Sequence, residues 1–240
     1  MTPLTQRRVL IVGMGGLGCP AAEALARAGV GALTLVDPDR VEPSNLPRQL
    51  LHRDADLGRL KVDSAAEKLA VRFPSLHLST SAERVGAQNV EALFSAHDLV
   101  IDGTDGIATK YLLSDAAMRS GVPLVFGGVL RMQGQAMTLA PGGPCLRCLY
   151  EVAPDPDQVP TCASAGVLGT VAGVIGGIQA QLALGHLAGT LAPGWLTVFD
   201  ALKLSSRRVR VPQVPGCEGC AAGPLSADRL SEEEASSCRR

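Results

Sequence analysis

The sequence predicts an α/β protein with a mixed sheet, parallel in its N-terminal half and antiparallel in its C-terminal strands. Residues 8–13 (RVLIVG) form a short apolar run that leads into a glycine-rich stretch, GMGGLG, at 13–18. An alanine-rich helical segment and a second apolar run at 32–37 follow. Apolar, β-branched runs that alternate with helices are typical of buried parallel strands. Residues 130–140 instead alternate between apolar and polar side chains, which predicts an antiparallel strand.

The other elements of the parallel half follow in order along the chain. A helix is predicted from Lys61 to about Arg72, because Pro74 interrupts the pattern there. A weak strand at 76–80 and a short helix at 90–96 come next. The pattern then predicts a strongly buried strand at 98–102 (DLVID), a helix at 108–120 that Gly121 ends, and a strand at 123–128.

The C-terminal third contains a long apolar segment at 167–188, within a stretch that has no charged residue between Gln158 and Phe199. Its length and composition would allow it to cross a membrane. Gln179, Gln181 and five glycines interrupt it, so we expect a buried helix packed on the sheet and no membrane span. Residues 195–200 and 202–211 then predict a hairpin.

The 240 residues suggest one domain over 1–220 and a disordered tail over 221–240, because the tail is small, charged and without an apolar period. The net charge is −1, from 22 basic and 23 acidic residues, which argues against a nucleic-acid backbone as partner. No apolar signal segment precedes the first strand, so we expect a cytoplasmic protein.

The strand, glycine loop, helix and strand of residues 8–37 form a unit that ends on Asp37. This unit is typical of Rossmann-like folds, in which the helix N-terminus binds phosphate and the acid accepts hydrogen bonds from ribose hydroxyls. The loop alone does not distinguish NAD from ATP, and the alternative is an ordinary glycine-rich turn.

The segment after the second strand favours ATP. It reads SNLPRQ and contains Asn45 and Arg48, and Lys61 follows it. These side chains could supply the donors that a triphosphate requires. Asp105, at the end of a predicted strand, suits Mg²⁺ that bridges phosphates. The alternative is that Arg48 and Lys61 are solvated surface charges and Asp105 caps a helix.

Four of the seven cysteines form two CxxC pairs, Cys145 with Cys148 and Cys217 with Cys220. Four thiolates in two such pairs predict a structural, tetrahedral Zn²⁺ site that connects the end of the chain to its middle. The alternative, a thioredoxin-like redox motif, is weaker because neither pair opens a helix after a suitable strand.

Three cysteines stand apart from these pairs. Cys162 precedes the apolar helix, where it is either a reactive thiol or a small buried side chain. We interpret Cys19 as a packing residue and Cys238 as an incidental thiol of the tail.

Seven motifs follow one another in a specific order and spacing: GMGGLGCPAAEALARAGVGALTLVDPDRVEPSNLPRQLLH, LGRLKVDSA, VIDGTD, GVLRMQGQ, CLRC, TCASAGVLG and GCEGC. Over about residues 8–220 they resemble the MoeB/ThiF/HesA family of ubiquitin-activating-enzyme-like adenylyltransferases, and most of all its MoeB branch. The resemblance implies an ATP- and Mg²⁺-dependent homodimer with structural Zn²⁺. It implies adenylation of the C-terminal glycine of a small ubiquitin-like sulfur carrier, of MoaD or ThiS type, with a sulfurtransferase as a further partner.

By position, the resemblance also implies roles for single residues. Asp37 would hold the ribose, and Asp105 would hold Mg²⁺. Cys162 matches a cysteine that ThiF-type relatives use to hold the carrier covalently. The phosphates would be lined by Gly15, Gly16 and Gly18 and contacted by Asn45, Arg48 and Lys61, while Cys145, Cys148, Cys217 and Cys220 would bind Zn²⁺.

Two departures from the family pattern leave alternatives open. The family's N-terminal arginine, supplied across the dimer, has no clear counterpart, since only seven residues precede the first strand. Gly106 stands where the family usually has Asn. Both suggest a second hypothesis, a zinc-containing binding protein for a ubiquitin-like partner with weakened adenylation. An NAD-dependent oxidoreductase is a third hypothesis, against which Asn45, Arg48, Lys61 and the cysteine pairs argue.

Overall fold

The structure, a computed structural model, describes residues 2–151 and 166–221. A single eight-stranded sheet runs through it in the order β3-β2-β1-β4-β5-β6-β7-β8. The first five strands in this order pair in parallel, and β5 to β8 pair antiparallel. The strands are β1 (Arg8–Val12), β2 (Ala32–Val36), β3 (His77–Ser81), β4 (Leu99–Asp102), β5 (Leu124–Leu130), β6 (Gln133–Leu139), β7 (Trp195–Asp200) and β8 (Ser205–Arg210).

Helices cover both faces of the sheet. They are α1 (Gly18–Arg27), α2 (Lys61–Arg72), α3 (Val90–Ser95), α4 (Ile107–Ser120), α5 (Leu146–Leu149) and α6 (Gly169–Leu187). One core combines α1, α2 and α6 with one face of the strands, and a second core combines α3, α4 and α5 with the other face. Alternate residues of β1 divide between the two cores, Val9 and Ile11 in the first, Leu10 and Val12 in the second. This alternation follows from the two-residue period of a strand, and it explains why β1 is apolar throughout.

The predicted mixed sheet is confirmed, and most element boundaries agree within one or two residues. Two predicted boundaries are wrong. The strand predicted at 130–140 begins at Gln133, because Leu130 still belongs to β5 and Arg131 adopts a left-handed conformation (φ 54°) in the tight turn between the strands. The strand predicted from residue 202 begins at Ser205, after a turn in which Leu204 also has a positive φ. Alternation of side chains does not reveal where a hairpin turns.

Helix α6 is long and apolar enough to cross a membrane by those criteria alone. In the fold it packs against α1 and the sheet, with Val171, Ile175 and Ala183 in the core. A Cβ on Gly176 would lie 2.5 Å from the backbone oxygen of Leu17, so this glycine allows the two helices to approach closely. The predicted buried, glycine-rich helix is therefore confirmed.

Candidate functional site

The chain changes direction across the sheet between β1 and β4. From β1 it proceeds outward to β2 and β3, and it returns on the other side of β1 to form β4 and β5. In open α/β sheets, the crevice at the carboxyl ends of the strands at such a point is where ligands bind. Here that crevice is bordered by the glycine loop after β1 (residues 13–18) and by residues 103–105 after β4.

The glycine loop is held tightly against the end of β4. Gly13 has φ +90°, and a Cβ there would lie 2.7 Å from the carbonyl carbon of Gly103. A Cβ on Gly18 would lie 1.8 Å from the backbone oxygen of Gly13, so Gly18 is required for close packing of the loop on itself. Gly15 is less crowded, with its nearest neighbouring atom, Nε2 of Gln49, 3.6 Å from the ideal Cβ position. Gly18, one of the three glycines predicted to line the phosphates, is therefore also required for the packing of the loop, whereas Gly15 is not crowded.

Asp37 follows β2 directly and connects that strand to the glycine loop. Its Oδ2 accepts a hydrogen bond of 2.7 Å from the backbone N–H of Met14, and its Oδ1 accepts one of 2.8 Å from that of Asp39. The residue is only 5% exposed. Burial raises the pKa of the Asp37 carboxyl, and the nearby Lys61 ammonium opposes this effect. Each oxygen has a further lone pair, so the carboxylate can still accept from a ribose hydroxyl.

Of the two predicted cations, Arg48 lies beside the glycine loop and Lys61 lies beside Asp37 at the end of β2. The backbone oxygen of Arg48 is 3.4 Å from the ideal Cβ position of Gly16, and its guanidinium donates to the backbone oxygen of Ser44. Lys61 is buried, and its Nζ lies 2.8 Å from Oδ2 of Asp39 and 4.0 Å from Oδ2 of Asp37. Lys61 is therefore not a solvated surface charge, whereas Arg48 reaches its position from an exposed loop.

The segment that carries Arg48 also buries two amides. Asn45 ends a short 3-10 helix, Pro43–Asn45, and its side-chain amide donates to the hydroxyl of Ser44 over 3.3 Å. Gln49 is 3% exposed, and among the described residues its Oε1 has no hydrogen-bond partner. A buried amide oxygen without a partner, beside Gly15, makes Gln49 a candidate site residue that the SNLPRQ motif contains but that spacing alone does not single out.

Asp105 is exposed at the carboxyl end of β4. The N-cap of α4 is Gly106, without a side-chain hydrogen bond, so the alternative interpretation of Asp105 as a helix cap is wrong. In the part of the chain that the structure describes, no partner of the Asp105 carboxylate is found. It is available as a ligand for a cation at this edge of the sheet.

A buried ion pair lies immediately behind Asp105. Lys110, on α4, donates from Nζ to Oδ2 of Asp102 (2.9 Å) and to the backbone oxygens of Thr104 (2.7 Å) and Gly127 (2.6 Å). Asp102 is completely buried, and its other oxygen accepts from the hydroxyl and the N–H of Thr104. Gln179 of α6 donates to the backbone oxygens of Asp102 and Val125. This network fixes the loop that carries Asp105.

This network is not predicted from the sequence. Asp102 belongs to the run DLVID, which predicts only a buried strand, and Gln179 is interpreted from the sequence only as a polar interruption of an apolar helix. A polar side chain in a buried apolar helix indicates a buried hydrogen-bond partner, because buried polar groups are almost always hydrogen-bonded. The sequence does not identify that partner.

The four cysteines of the CxxC pairs lie close together. They are on the opposite side of the sheet from α1, the helix that follows the glycine loop. All four Sγ atoms lie within 4.8 Å of one another. The measured Sγ–Sγ distances are 3.9 Å (Cys145–Cys148), 3.6 Å (Cys145–Cys217) and 3.4 Å (Cys148–Cys220). A tetrahedral ion with Zn–S bonds of about 2.3 Å requires S–S distances of about 3.8 Å, so the thiols fit zinc.

The surroundings of the cluster shift the pKa values of its thiols in different directions. Cys145 is buried and precedes the short helix α5, while the other three are partly exposed. Burial raises the pKa values of Cys145 and Cys220. Burial also acts to raise the pKa of Cys148, but several hydrogen bonds, among them one of 3.4 Å from the backbone N–H of Val214 to its Sγ, together outweigh burial and lower it.

Cys162 lies outside the described residues, as do Cys238 and positions 222–240 of the predicted tail. Their predicted roles stay predictions. Cys19 is fully buried in the first core, in agreement with its interpretation as a packing residue, and burial raises its pKa to about 12.

Comparison with known proteins assigns a family. The sequence model of the ThiF family matches residues 1–219. The SAMP-activating enzyme E1 of Haloferax volcanii is 42% identical over 226 residues, covering 93% of this chain and 84% of that protein. The adenylyltransferase and sulfurtransferase MOCS3 of Drosophila willistoni is 42% identical over 237 residues, but the chain spans only 52% of its length.

Solved structures agree on the fold. Escherichia coli MccB in complex with MccA-N7isoASN superposes with a TM-score of 0.81 at 19% identity, covering 91% of this chain and 68% of that one. PaaA superposes with a TM-score of 0.70 at 26% identity, covering 88% and 66%. The family model matches almost the whole described chain, and two curated relatives are 42% identical to it over most of its length. The chain therefore belongs to the ThiF family.

Proposed function

We propose that this chain is an ATP-dependent adenylyltransferase that activates the C-terminal glycine carboxylate of a small ubiquitin-like sulfur carrier protein. The observation that carries the proposal is the arrangement at the crevice between β1 and β4. The glycine loop, the cations Arg48 and Lys61, and the exposed Asp105 all border that crevice. The names of the curated relatives support the activity class, since one is an E1-type activating enzyme and the other an adenylyltransferase.

The arrangement suits adenylyl transfer chemically. A carboxylate oxygen of the carrier attacks the α-phosphorus of ATP and forms the new O–P bond. The bond from that phosphorus to the bridging oxygen breaks, and pyrophosphate leaves with the electron pair. The nucleophile is already ionised, so no side-chain base is needed, and catalysis consists of alignment and charge neutralisation.

Each site residue has a role in this reaction. The N–H groups at the start of α1 bind phosphate, and Asp37 orients the ribose. Arg48 and Lys61 neutralise the negative charge that shifts toward the leaving pyrophosphate, with Asn45 as a further donor. Asp105 would hold Mg²⁺, which neutralises phosphate charge when it is bound. Lys110 and Asp102 keep the loop of Asp105 in place.

The cysteine cluster has a structural role in this proposal. Cys145, Cys148, Cys217 and Cys220 would hold Zn²⁺, which joins residues 217–220 to α5 and contributes folding free energy. The cluster takes no part in the transfer of the adenylyl group.

The acyl-adenylate product is a mixed anhydride that a sulfur nucleophile can open with release of AMP. The chain spans about half of the MOCS3 relatives, whose names include a sulfurtransferase activity. Because the sequence resembles the MoeB branch more than ThiF, we propose that a separate sulfurtransferase supplies the sulfur and that Cys162 is dispensable. A reducible carrier–enzyme conjugate that is lost in Cys162→Ala together with sulfur transfer would move the protein to the ThiF branch.

Exchange of labelled pyrophosphate into ATP tests the function. We expect exchange that depends on a carrier ending in Gly-Gly and that disappears when the last glycine is removed. Asp105→Ala should lower the exchange rate by about 100-fold or more, because it removes stabilisation of charge in the transition state. Its melting temperature should not change, since the side chain is exposed. Asp54→Ala, at an exposed acid of the 3-10 helix Asp54–Asp56, is the control and should leave the rate unchanged.

Two results would contradict the proposal. If the wild-type protein binds ATP and a carrier tightly but does not exchange pyrophosphate, it is the zinc-containing binding protein of the second hypothesis. If Asp105→Ala exchanges within a factor of three of the wild type, Asp105 is outside the site.

A further inference from the structure

A chain of buried polar side chains lies behind the glycine loop, on the side away from the crevice. His52 is 5% exposed, and its Nε2 lies 3.1 Å from the backbone oxygen of Met14 in the loop. Its Nδ1 lies 2.9 Å from Oγ of Ser64, a completely buried residue of α2. Neither His52 nor Ser64 has a role in the adenylyl transfer proposed above, so that reaction does not explain why these two polar side chains are buried.

The chain continues from Ser64 to an ion pair. Lys68, one turn further along α2, donates from Nζ to Oγ of Ser64 (2.9 Å) and to the carboxylate of Asp56. The Asp56 carboxylate is 5% exposed. Burial acts to raise the pKa of the Asp56 carboxyl, but the hydrogen bonds from Lys68 and from the backbone N–H of Arg53, together with the Lys68 charge, outweigh burial and the pKa is lowered. A stable ion pair therefore anchors one end of the chain.

The acceptor at one end of this chain fixes the proton on one ring nitrogen. A backbone carbonyl can only accept, so Nε2 of His52 must donate to Met14. An ammonium group can only donate, so the Ser64 hydroxyl accepts from Lys68 and retains one proton that it can donate to Nδ1 of His52. Since burial also disfavours a charged ring, the expected imidazole is neutral with its proton on Nε2.

The charges around His52 favour the same state. Burial lowers the pKa of His52, and the ammonium groups of Lys68 and Lys61 lower it further, while Asp56 and the contact with Met14 act in the opposite direction. Cys19 of α1 also contacts the ring, with Sγ 3.7 Å from Nε2, and its thiol is neutral because burial raises its pKa to about 12.

Met14 is thus held from two directions. Its N–H donates to Asp37 over 2.7 Å, and its carbonyl accepts from His52 and from the thiol of Cys19. Gly15 and Gly16 follow directly, and they have no side chains of their own to fix their peptide planes. The orientation of the N–H groups that face the crevice therefore depends on how firmly Met14 is held.

We propose that His52 is a positioning residue for ATP, which fixes the Met14 carbonyl through Nε2–H and thereby holds the glycine loop in its phosphate-binding conformation. The proposal rests on the proposed function in one respect, that the ligand of the loop is the phosphate chain of ATP. Lys68 and Ser64 support His52 and are not themselves in contact with the loop.

The test compares two replacements of His52. His52→Leu removes the N–H donor and should weaken ATP binding by about tenfold, because the Met14 carbonyl then retains only the weak thiol donor of Cys19 and the loop is held less firmly. His52→Gln places an amide N–H in a position similar to Nε2–H and should bind ATP within threefold of the wild type. The dissociation constant of ATP is measured by calorimetry, and exchange kinetics give the KM for ATP and kcat separately.

A matched control separates positioning from a general loss of stability. His97 is half-buried, less deeply than His52, and makes two hydrogen bonds, to the backbone oxygen of Leu93 and to the hydroxyl of Thr34, far from the glycine loop in the chain. His97→Leu loses the same number of hydrogen bonds and should be destabilised similarly, yet it should bind ATP as the wild type does. We expect His52→Leu to raise the KM for ATP while kcat at saturating ATP falls less than threefold.

Nuclear magnetic resonance of the imidazole provides a readout that needs no activity. The ring carbon shifts of His52 should report the Nε2–H tautomer at pH 7.5 in the protein without ATP. The Nδ1–H tautomer or a charged ring at that pH would overturn the proposal.

The outcomes distinguish the two proposals. If His52→Leu and His97→Leu bind ATP equally well, His52 only supports the fold and the positioning role is wrong. If the wild type binds ATP and His52→Leu does not, but no carrier supports exchange, the positioning role stands and the proposed function fails. If the wild type does not bind ATP, both are overturned.

Discussion

The candidate nucleotide site and the cysteine cluster differ in what their side chains touch. The four cysteines come from two short segments, and their sulfur atoms lie within 4.8 Å of one another. The nucleotide site draws on loops after β1, β2 and β4 and on α2, and several of its polar groups are engaged with protein partners. Lys61 pairs with Asp39, and Asp37 accepts from Met14 and Asp39.

This difference shows two ways in which a fold can prepare a site. At the cysteine cluster, the ligand atoms themselves make the site, and the rest of the fold only brings two segments together. At the nucleotide site, the groups that would touch ATP are held by residues that do not, such as His52 and Lys110. Such sites depend on buried polar networks, which are costly when one member is removed.

The largest expected effect is at the cysteine cluster. Cys217→Ser should lose zinc and lower the free energy of unfolding by about 5 kcal/mol or more, since zinc binding supplies about 10–16 kcal/mol in small zinc peptides. Metal content by mass spectrometry and urea unfolding measure both effects. Cys238→Ser, at a cysteine outside the two pairs, should keep its zinc. If freshly purified wild-type protein, prepared without chelators, contains no zinc, the cysteine cluster is not a zinc site and this prediction is wrong.

The second effect concerns the network behind Asp105. Lys110→Met leaves the Asp102 carboxylate completely buried without its ammonium partner, which should cost about 3–5 kcal/mol of unfolding free energy. Lys203→Met removes a lysine whose side chain is 78% exposed and should change stability by less than about 0.5 kcal/mol. Urea unfolding of both variants at neutral pH makes the measurement. Equal stability of the two variants would mean that the buried network does not hold the site.

The smallest effect is a dependence of stability on pH. Burial lowers the pKa values of His52, His97 and His186, so folding favours their neutral forms. Their contribution is fully present above the unfolded pKa of about 6.5 and is lost as the pH falls through the folded pKa values. We expect the unfolding free energy to decrease from pH 7.5 to pH 5.5, and His97→Gln to reduce that decrease by no more than about 1.4 kcal/mol, the limit for one pH unit below an unfolded pKa of about 6.5.

This third measurement needs a check on the cysteine cluster, because protonation of thiolates at acid pH also releases zinc. Zinc content is therefore determined at both pH values, and the comparison is restricted to conditions in which it is equal. Identical pH profiles of the wild type and His97→Gln would show that the pKa of His97 is the same in the folded and the unfolded protein.

Much of the fold was accessible from the sequence because strands and helices differ in period. The apolar runs at β1 and β4 and the helical pattern from Lys61 to Arg72 each predicted an element that the structure contains. The hairpin turns at Arg131 and Leu204 were misplaced, since non-glycine residues with positive φ leave no trace in an apolar pattern. The helix α5 was missed because it spans only four residues.

What the sequence by itself determined are the features that depend on residue type and short spacing. The two CxxC pairs, the glycine loop followed by an acid, and the position of Asp105 after a buried strand are all of this kind. Each of these features can be recognised from a few neighbouring residues, because a pair of thiols or a glycine turn does not depend on a residue far away in the sequence.

Only the tertiary structure decided which polar residues support the site. Gln179 meets Asp102 across 77 positions of the chain, and His52 meets Met14 across 38. It also decided that Gly18 is packed against Gly13 and that Lys61 is buried beside Asp39. The physical reason is that a buried donor must find an acceptor in three dimensions, and any backbone oxygen can serve, so no residue pattern along the chain identifies the partner.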